Sequence, residues 1–97
     1  MWYERRVSGR GPGGARFEVD FLARYPSGGQ ELLQVCAEAS APSTAERELG
    51  ALLEAGDAFP KARRRLLTLT DDALPSDVPA GVSAEPAYTW LLTRAPP

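Results

Sequence analysis

The chain has 97 residues, 43% apolar and 25% charged, with a formal net charge of −2. That length and balance describe one globular domain near the lower end of what a single core supports, not a disordered chain. Histidine is absent and Cys36 is the lone cysteine, which excludes Ser-His and Cys-His nucleophile pairs, an internal disulfide and a closed Cys/His zinc site. Any chemistry must come from carboxylates, tyrosines, Lys61 or a hard metal ion on oxygen ligands.

No apolar run approaches the roughly 18–20 residues that span a bilayer, and "MWYERRVSG" lacks a signal-peptide stretch. The expectation is a cytoplasmic protein with no membrane partner, and the single cysteine fits a reducing compartment. Asn and Ile are absent and all basic residues but Lys61 are Arg, a composition that fits a GC-rich, thermophilic source. Net charge gives no global attraction to nucleic acid. Basic residues cluster locally, with Arg5, Arg6, Arg10 and Arg16 early and Lys61 beside Arg63, Arg64 and Arg65.

"WYERRV" (Trp2–Val7) reads as a first strand, and "SGRGPGG" as a loop too rich in Gly and Pro for a regular element. Arg16–Arg24 alternates with period two and is the clearest strand. "YPSGGQ" supplies turn residues, and Glu31–Ala37 follows as a third strand. Ser43 and Glu46 have the spacing of a capping box. Ala45, Leu49, Leu52 and Leu53 then repeat at helical spacing and Gly56 suits a C-terminal stop, predicting a helix over 44–55. "RLLTLT" (Arg65–Thr70) reads as a fourth strand. "DDALPSDVPAGVSAEP" reads as a loop because its prolines block ladder hydrogen bonds. "AYTWLL" (Ala87–Leu92) ends the chain as a short strand or a last helical turn. The expected architecture is a single α+β domain, 1–97, with a core over about 2–92 and a loose tail at 93–97. It has a mixed, mainly antiparallel sheet of four to five strands with one main helix on one face.

The chemical interest lies in "FEVDFLARYPSGGQELLQVC". A hairpin centred on Ser27 sets Asp20 opposite Gln34 and Glu18 opposite Cys36, and opposed residues share a face. Glu18, Asp20, Gln34 and Cys36 then form one cluster. Phe17, Val19, Phe21, Leu33 and Val35 cover the other face, against Leu49, Leu52 and Leu53. That register holds only without a β-bulge. The plain reading of the polar row is a solvated sheet face. The functional reading is an oxygen-ligand site for Mg²⁺ or Mn²⁺ on Asp20 and Gln34, with Glu18 adding charge.

"EVDF", "LLQVC", "TAERELGALLEA", "LLTLT" and "YTWLL", in that order, resemble the C-terminal domain of unknown function of bacterial and archaeal AAA-type ATPases. That domain in turn resembles the PD-(D/E)xK nucleases, with their restriction-endonuclease-like core. The resemblance spans about residues 2–92 and implies such a core without its first helix. It places Asp20 at the motif's Asp, while the first helix, which often supplies another acid in that superfamily, has no room before Trp2. Gln34-Val35-Cys36 stands where Glu-x-Lys holds metal and positions water, so both later positions depart from the motif. No phosphate-binding loop is present, since "GRGPGG" lacks the Gly-Lys-Ser/Thr ending. The resemblance therefore implies a stand-alone remnant or a piece of a longer ATPase.

The resemblance and its departures imply a non-catalytic interaction or regulatory module. The alternatives are a metal-dependent nuclease on Asp20, Glu18 and Gln34, or a nucleic-acid binder using Arg63, Arg64 and Arg65 without cleavage. Arg47 and Glu48 are expected to be solvent-side charges, and Cys36 a small, half-buried sheet residue. Trp2, Tyr3, Tyr88 and Trp90 are expected to pack together or line a sheet edge, and to anchor a partner where exposed. A protein partner or homodimer is expected, and no small-molecule cofactor.

Overall fold

Consecutive strands lie side by side in one five-stranded sheet, in the order of the chain. A computed structural model describes residues 2–11 and 13–93. Of the expected loose tail at 93–97, Thr93 is the last residue of α2, and residues 94–97 and the side chain of Trp2 lie outside the described residues. The elements are β1 (Trp2–Arg10), β2 (Arg16–Arg24), β3 (Gln30–Val35), α1 (Pro42–Ala58), β4 (Ala62–Thr68), a 3₁₀ turn (Asp71–Ala73), β5 (Val82–Pro86) and α2 (Ala87–Thr93). The first two pairings are antiparallel hairpins and the last two are parallel. Parallel neighbours need long crossovers. α1 supplies one, and the proline-rich segment 69–81 supplies the other. The stretch 71–86 was expected to be loop throughout, but Val82–Pro86 forms edge strand β5, where Pro86 is tolerated in the edge ladder.

α1 starts two residues before the expected span and ends three after it. Pro42 occupies the first helical turn, where its fixed φ is already helical. Ala41 sits at the N-cap with no side-chain cap hydrogen bond, so the Ser43–Glu46 capping box does not form. Gly56 is inside the helix and does not stop it. A Cβ there would lie 2.5 Å from Arg64 Cδ, and the bare glycine lets Arg64 cross between α1 and the turn at Gly81. The helix stops before Pro60, which disfavours helical geometry at Phe59.

The main core lies between α1 and the sheet. Val19, Leu22, Leu32, Leu52 and Leu66 are fully buried there, with Phe17 and Leu49 beside them and Cys36 against its margin. A second cluster covers the opposite face. Trp90 of α2 packs on Ala23, Leu33 and Leu67, joined by Phe21, Tyr25 and Ala87.

These two clusters correct the expected faces. Phe17 and Val19 face α1, yet so does Leu22, while Phe21 faces away. Two residues, Asp20 and Phe21, therefore lie between core positions where strict alternation allows one. β1 steps at the same level: pairing jumps from Arg5↔Phe21 to Val7↔Val19, and Arg6 between them has φ 51°. Both strands step together, so their register survives while their faces exchange. Phe21, Leu33 and Val35 consequently leave the α1 face, and Glu18 is separated from Gln34 and Cys36. Leu53, also expected in the core, is half-buried and lines a groove of about 560 Å³ between α1 and residues 75–79.

Candidate functional site

The step in β1 and β2 coincides with a fork. β2 and β3 pair in the expected register from Arg24↔Gln30 to Phe21↔Leu33, and no pairing follows beyond that point. Strands that part leave backbone N–H groups without ladder partners, a costly state unless other acceptors take them. Two side chains do so. Gln34 Oε1 accepts from the Asp20 N–H at 3.0 Å, and Asp20 Oδ2 accepts from the Val35 N–H at 2.8 Å. Gln34 Nε2 then donates to Glu48 Oε2 of α1 at 2.6 Å. Glu48 also receives Arg47 at 3.4 Å, and its side chain is only 15% exposed. Asp20, Gln34 and Glu48 thus form a chain from β2 through β3 to the helix.

This arrangement brings together some of the expected site residues and separates others. Asp20 and Gln34 meet. Glu18 is exposed on the far face, opposite Ser8. Cys36 is half-buried; its thiol lies 3.3 Å from the Glu38 carbonyl and its N–H donates to Leu67. Arg47 is solvent-side as expected, but Glu48 is not. A helical reading could have found Glu48, since it lies three residues after Ala45 and four before Leu52, on the core side of the wheel.

As a donor set, the fork does not fit a magnesium-type ion. Such ions take near-octahedral oxygen shells from carboxylates and water. Here Gln34 Oε1 and Asp20 Oδ2 are already committed to backbone N–H groups, and Gln34 Nε2 sits against the second carboxylate. Among the described residues, no group of three or more Asp, Glu, Cys or His side chains is placed to hold a metal ion.

The arginines of "KARRR" do not form one face. Arg64 passes over Gly56 on the α1 side, while Arg63 and Arg65 point to the other side of β4, as strand alternation requires. Arg65 is committed to an ion network: its Nε bonds Glu31 at 2.8 Å, and its Nη1 bonds Glu85 of β5. The Tyr25 hydroxyl donates to Glu31 at 2.6 Å. Burial pushes the Glu31 carboxyl up, but Tyr25, Arg65 and the charge of Arg63 outweigh it and hold the carboxyl below its usual value. This network ties β3, β4 and β5 together across the second face, and periodicity gave no signal for it.

Most exposed large apolar side chains cluster by phase. Apart from Val78, those among the described residues are Tyr3, Val35, Leu69, Tyr88, Leu91 and Leu92. Tyr3 pairs with Ala23 and meets the Phe21 ring edge-on, while Val35 is in phase with Leu33 at the end of β3 and Leu69 follows the end of β4. Tyr88, Leu91 and Leu92 follow i, i+3, i+4 spacing on α2, while Ala87 and Trp90 of the adjoining stripe pack onto the sheet. Trp90 is buried, so it belongs to the fold, whereas Tyr3 and Tyr88 are half exposed.

No helix among the described residues is long and apolar enough to cross a membrane. No protein-family model matches the chain, no curated protein matches it, and no solved structure matches it.

Proposed function

We propose that this domain is a non-catalytic interaction module, similar in role to the accessory C-terminal domain of AAA-type ATPases, with a protein partner seated on the α2 side of the sheet. The observation that carries the reading is α2 itself. Its sequence, AYTWLLT, holds no charged residue; one side packs on the sheet and the other presents Tyr88, Leu91 and Leu92 to solvent. A short helix with apolar side chains on both its packed and its exposed sides calls for a cover on the exposed one. Contiguous exposed apolar surface is where proteins meet partners.

Two further observations favour binding over cleavage. The polar atoms at the fork hold backbone groups and each other, so a nuclease-like reaction would have to break the clamp before recruiting an ion. The Arg63–Arg65 run is divided between two faces and partly engaged by Glu31 and Glu85, which argues against a single phosphate-binding surface.

The test is calorimetric titration of the purified chain with Mg²⁺ and Mn²⁺, beside Asp20→Ala, with cleavage assays on single strands, duplexes and junctions. The reading expects neither saturable binding at Asp20 nor cleavage. Metal-dependent cleavage abolished in Asp20→Ala overturns it in favour of the nuclease. Salt-sensitive nucleic-acid binding lost in Arg63→Ala, without cleavage, overturns it in favour of the third reading.

A further inference from the structure

We infer that the occupant of the bare α2 face is a second copy of this chain, the two α2 helices crossing about a two-fold axis. This rests on reading the domain as an interaction module, and adds the identity of its partner.

Three features point to self-association. The first is composition. The outward stripe Tyr88, Leu91, Leu92 contains no charge, and the exposed apolar residues at the strand ends, Val35 of β3 and Leu69 just past β4, add none. Homodimer interfaces are more apolar than those between independently stable partners. A charged partner would leave its own groups unpaired on this surface.

Symmetry is the second. An isologous contact needs a patch that complements itself. Residues spaced i, i+3, i+4 on a short helix form a ridge flanked by grooves, and an identical ridge crossing it fits those grooves. The Tyr88 hydroxyl is held at the edge by Asp71, at 3.2 Å, so the ring can contribute its apolar body without burying an unpartnered hydroxyl.

Area is the third. Val35, Leu69, Tyr88, Leu91 and Leu92 are 49%, 68%, 48%, 61% and 82% exposed. At ~200 Å² for a whole large apolar residue, the bare surface is roughly 600 Å² per copy, or roughly 1,200 Å² for two. That meets the lower end of the range for stable specific interfaces and lies above what most lattice-type contacts reach. Tyr3, 44% exposed, adds to the rim. The expected assembly is a reversible dimer.

The experiment is mass measurement by light scattering or sedimentation equilibrium over a concentration series, for the wild type, Leu91→Glu, Leu92→Glu and the control Val78→Glu. Circular dichroism melts accompany each variant. Wild type and Val78→Glu should approach twice the 10.4 kDa chain mass as concentration rises. Leu91→Glu and Leu92→Glu should remain monomeric at the same concentrations with unchanged melts, since neither side chain is buried. A wild type that stays monomeric throughout overturns the self-association. It leaves the interaction reading standing with a different protein as partner, and that reading falls separately, to Asp20-dependent cleavage. A dimer that survives both α2 substitutions overturns the assignment of the face.

Discussion

Replacing Gln34 by Glu is the sharpest perturbation of the fork. The change is nearly isosteric, yet it should destabilise the domain at neutral pH. In the native fork Gln34 Nε2 donates to Glu48 Oε2 at 2.6 Å. The substitution removes that charge-assisted bond, worth about 1.5–3 kcal/mol, and sets two carboxylates face to face. At ~4 Å and an effective dielectric of ~20, their repulsion is on the order of 4 kcal/mol. Proton uptake limits the loss, because a shared proton restores an O–H···O⁻ bond. Protonating an ordinary carboxyl of pKa ~4.3 at pH 7 costs about 3.7 kcal/mol, but at pH 5 only about 1. The expected destabilisation is therefore about 3.7 kcal/mol at pH 7 and about 1 at pH 5. For a domain of this size the pH 7 figure lowers the thermal midpoint by roughly 15–30 °C. Gln34→Leu loses both the Asp20 N–H bond and the Glu48 bond but sets no second carboxylate against Glu48, so its deficit should narrow less between pH 7 and pH 5 than that of Gln34→Glu. Thermal and urea unfolding of the three proteins at both pH values measures this. A Gln34→Glu protein as stable as wild type at pH 7, or a gap that does not narrow at pH 5, refutes the clamp.

Gly56→Ala should destabilise the wild type despite the helix preference for Ala, because its Cβ displaces Arg64. In an Arg64→Ala background the same change should instead stabilise by about 1 kcal/mol, which urea unfolding of the double-mutant cycle reads. Arg65→Met strands Glu31 and Glu85, whose side chains are 12% and 21% exposed; a loss of about 3 kcal/mol is expected by chemical denaturation. Because the folded Glu31 carboxyl is held below its usual value, its contribution is present above the unfolded value near 4.5 and is lost as pH falls through the folded one. Glu31→Gln should therefore be less stable than wild type at pH 7, and the difference should close on acidification below about pH 4.5, followed by melts across the acid range.

Much of this domain was legible in the sequence, because two strands and one helix carry clear periodicity. The hairpin centre at Ser27 gave the β2–β3 register correctly. The faces failed because the paired step at Arg6 and Asp20 is invisible to alternation: nothing in "RRV" or "VDF" announces a left-handed Arg6, and the step moves Phe21 and Glu18 without altering the register. β5 was hidden by Pro75 and Pro79, which belong to the crossover, and by Pro86 at its end. The site was half legible. Asp20 and Gln34 meet as their spacing implied, while Glu48 was read as a solvent-side charge despite its place on the core side of the helix wheel. The Glu31–Arg65–Glu85 network joins three strands and depends on parallel pairings that no local pattern encodes.

The central claim is that the polar groups of the carboxylate strand close the fork between β2 and β3. Amide hydrogen exchange at Val35 tests it most directly, because that N–H lies beyond the last β2–β3 pair and is held by the Asp20 carboxylate. Protection of Val35 in the wild type, lost in Asp20→Ala while Leu32 and Leu33 stay protected, is the expected result. A Val35 amide that exchanges equally fast in both proteins contradicts the claim, and frees Asp20 for another role.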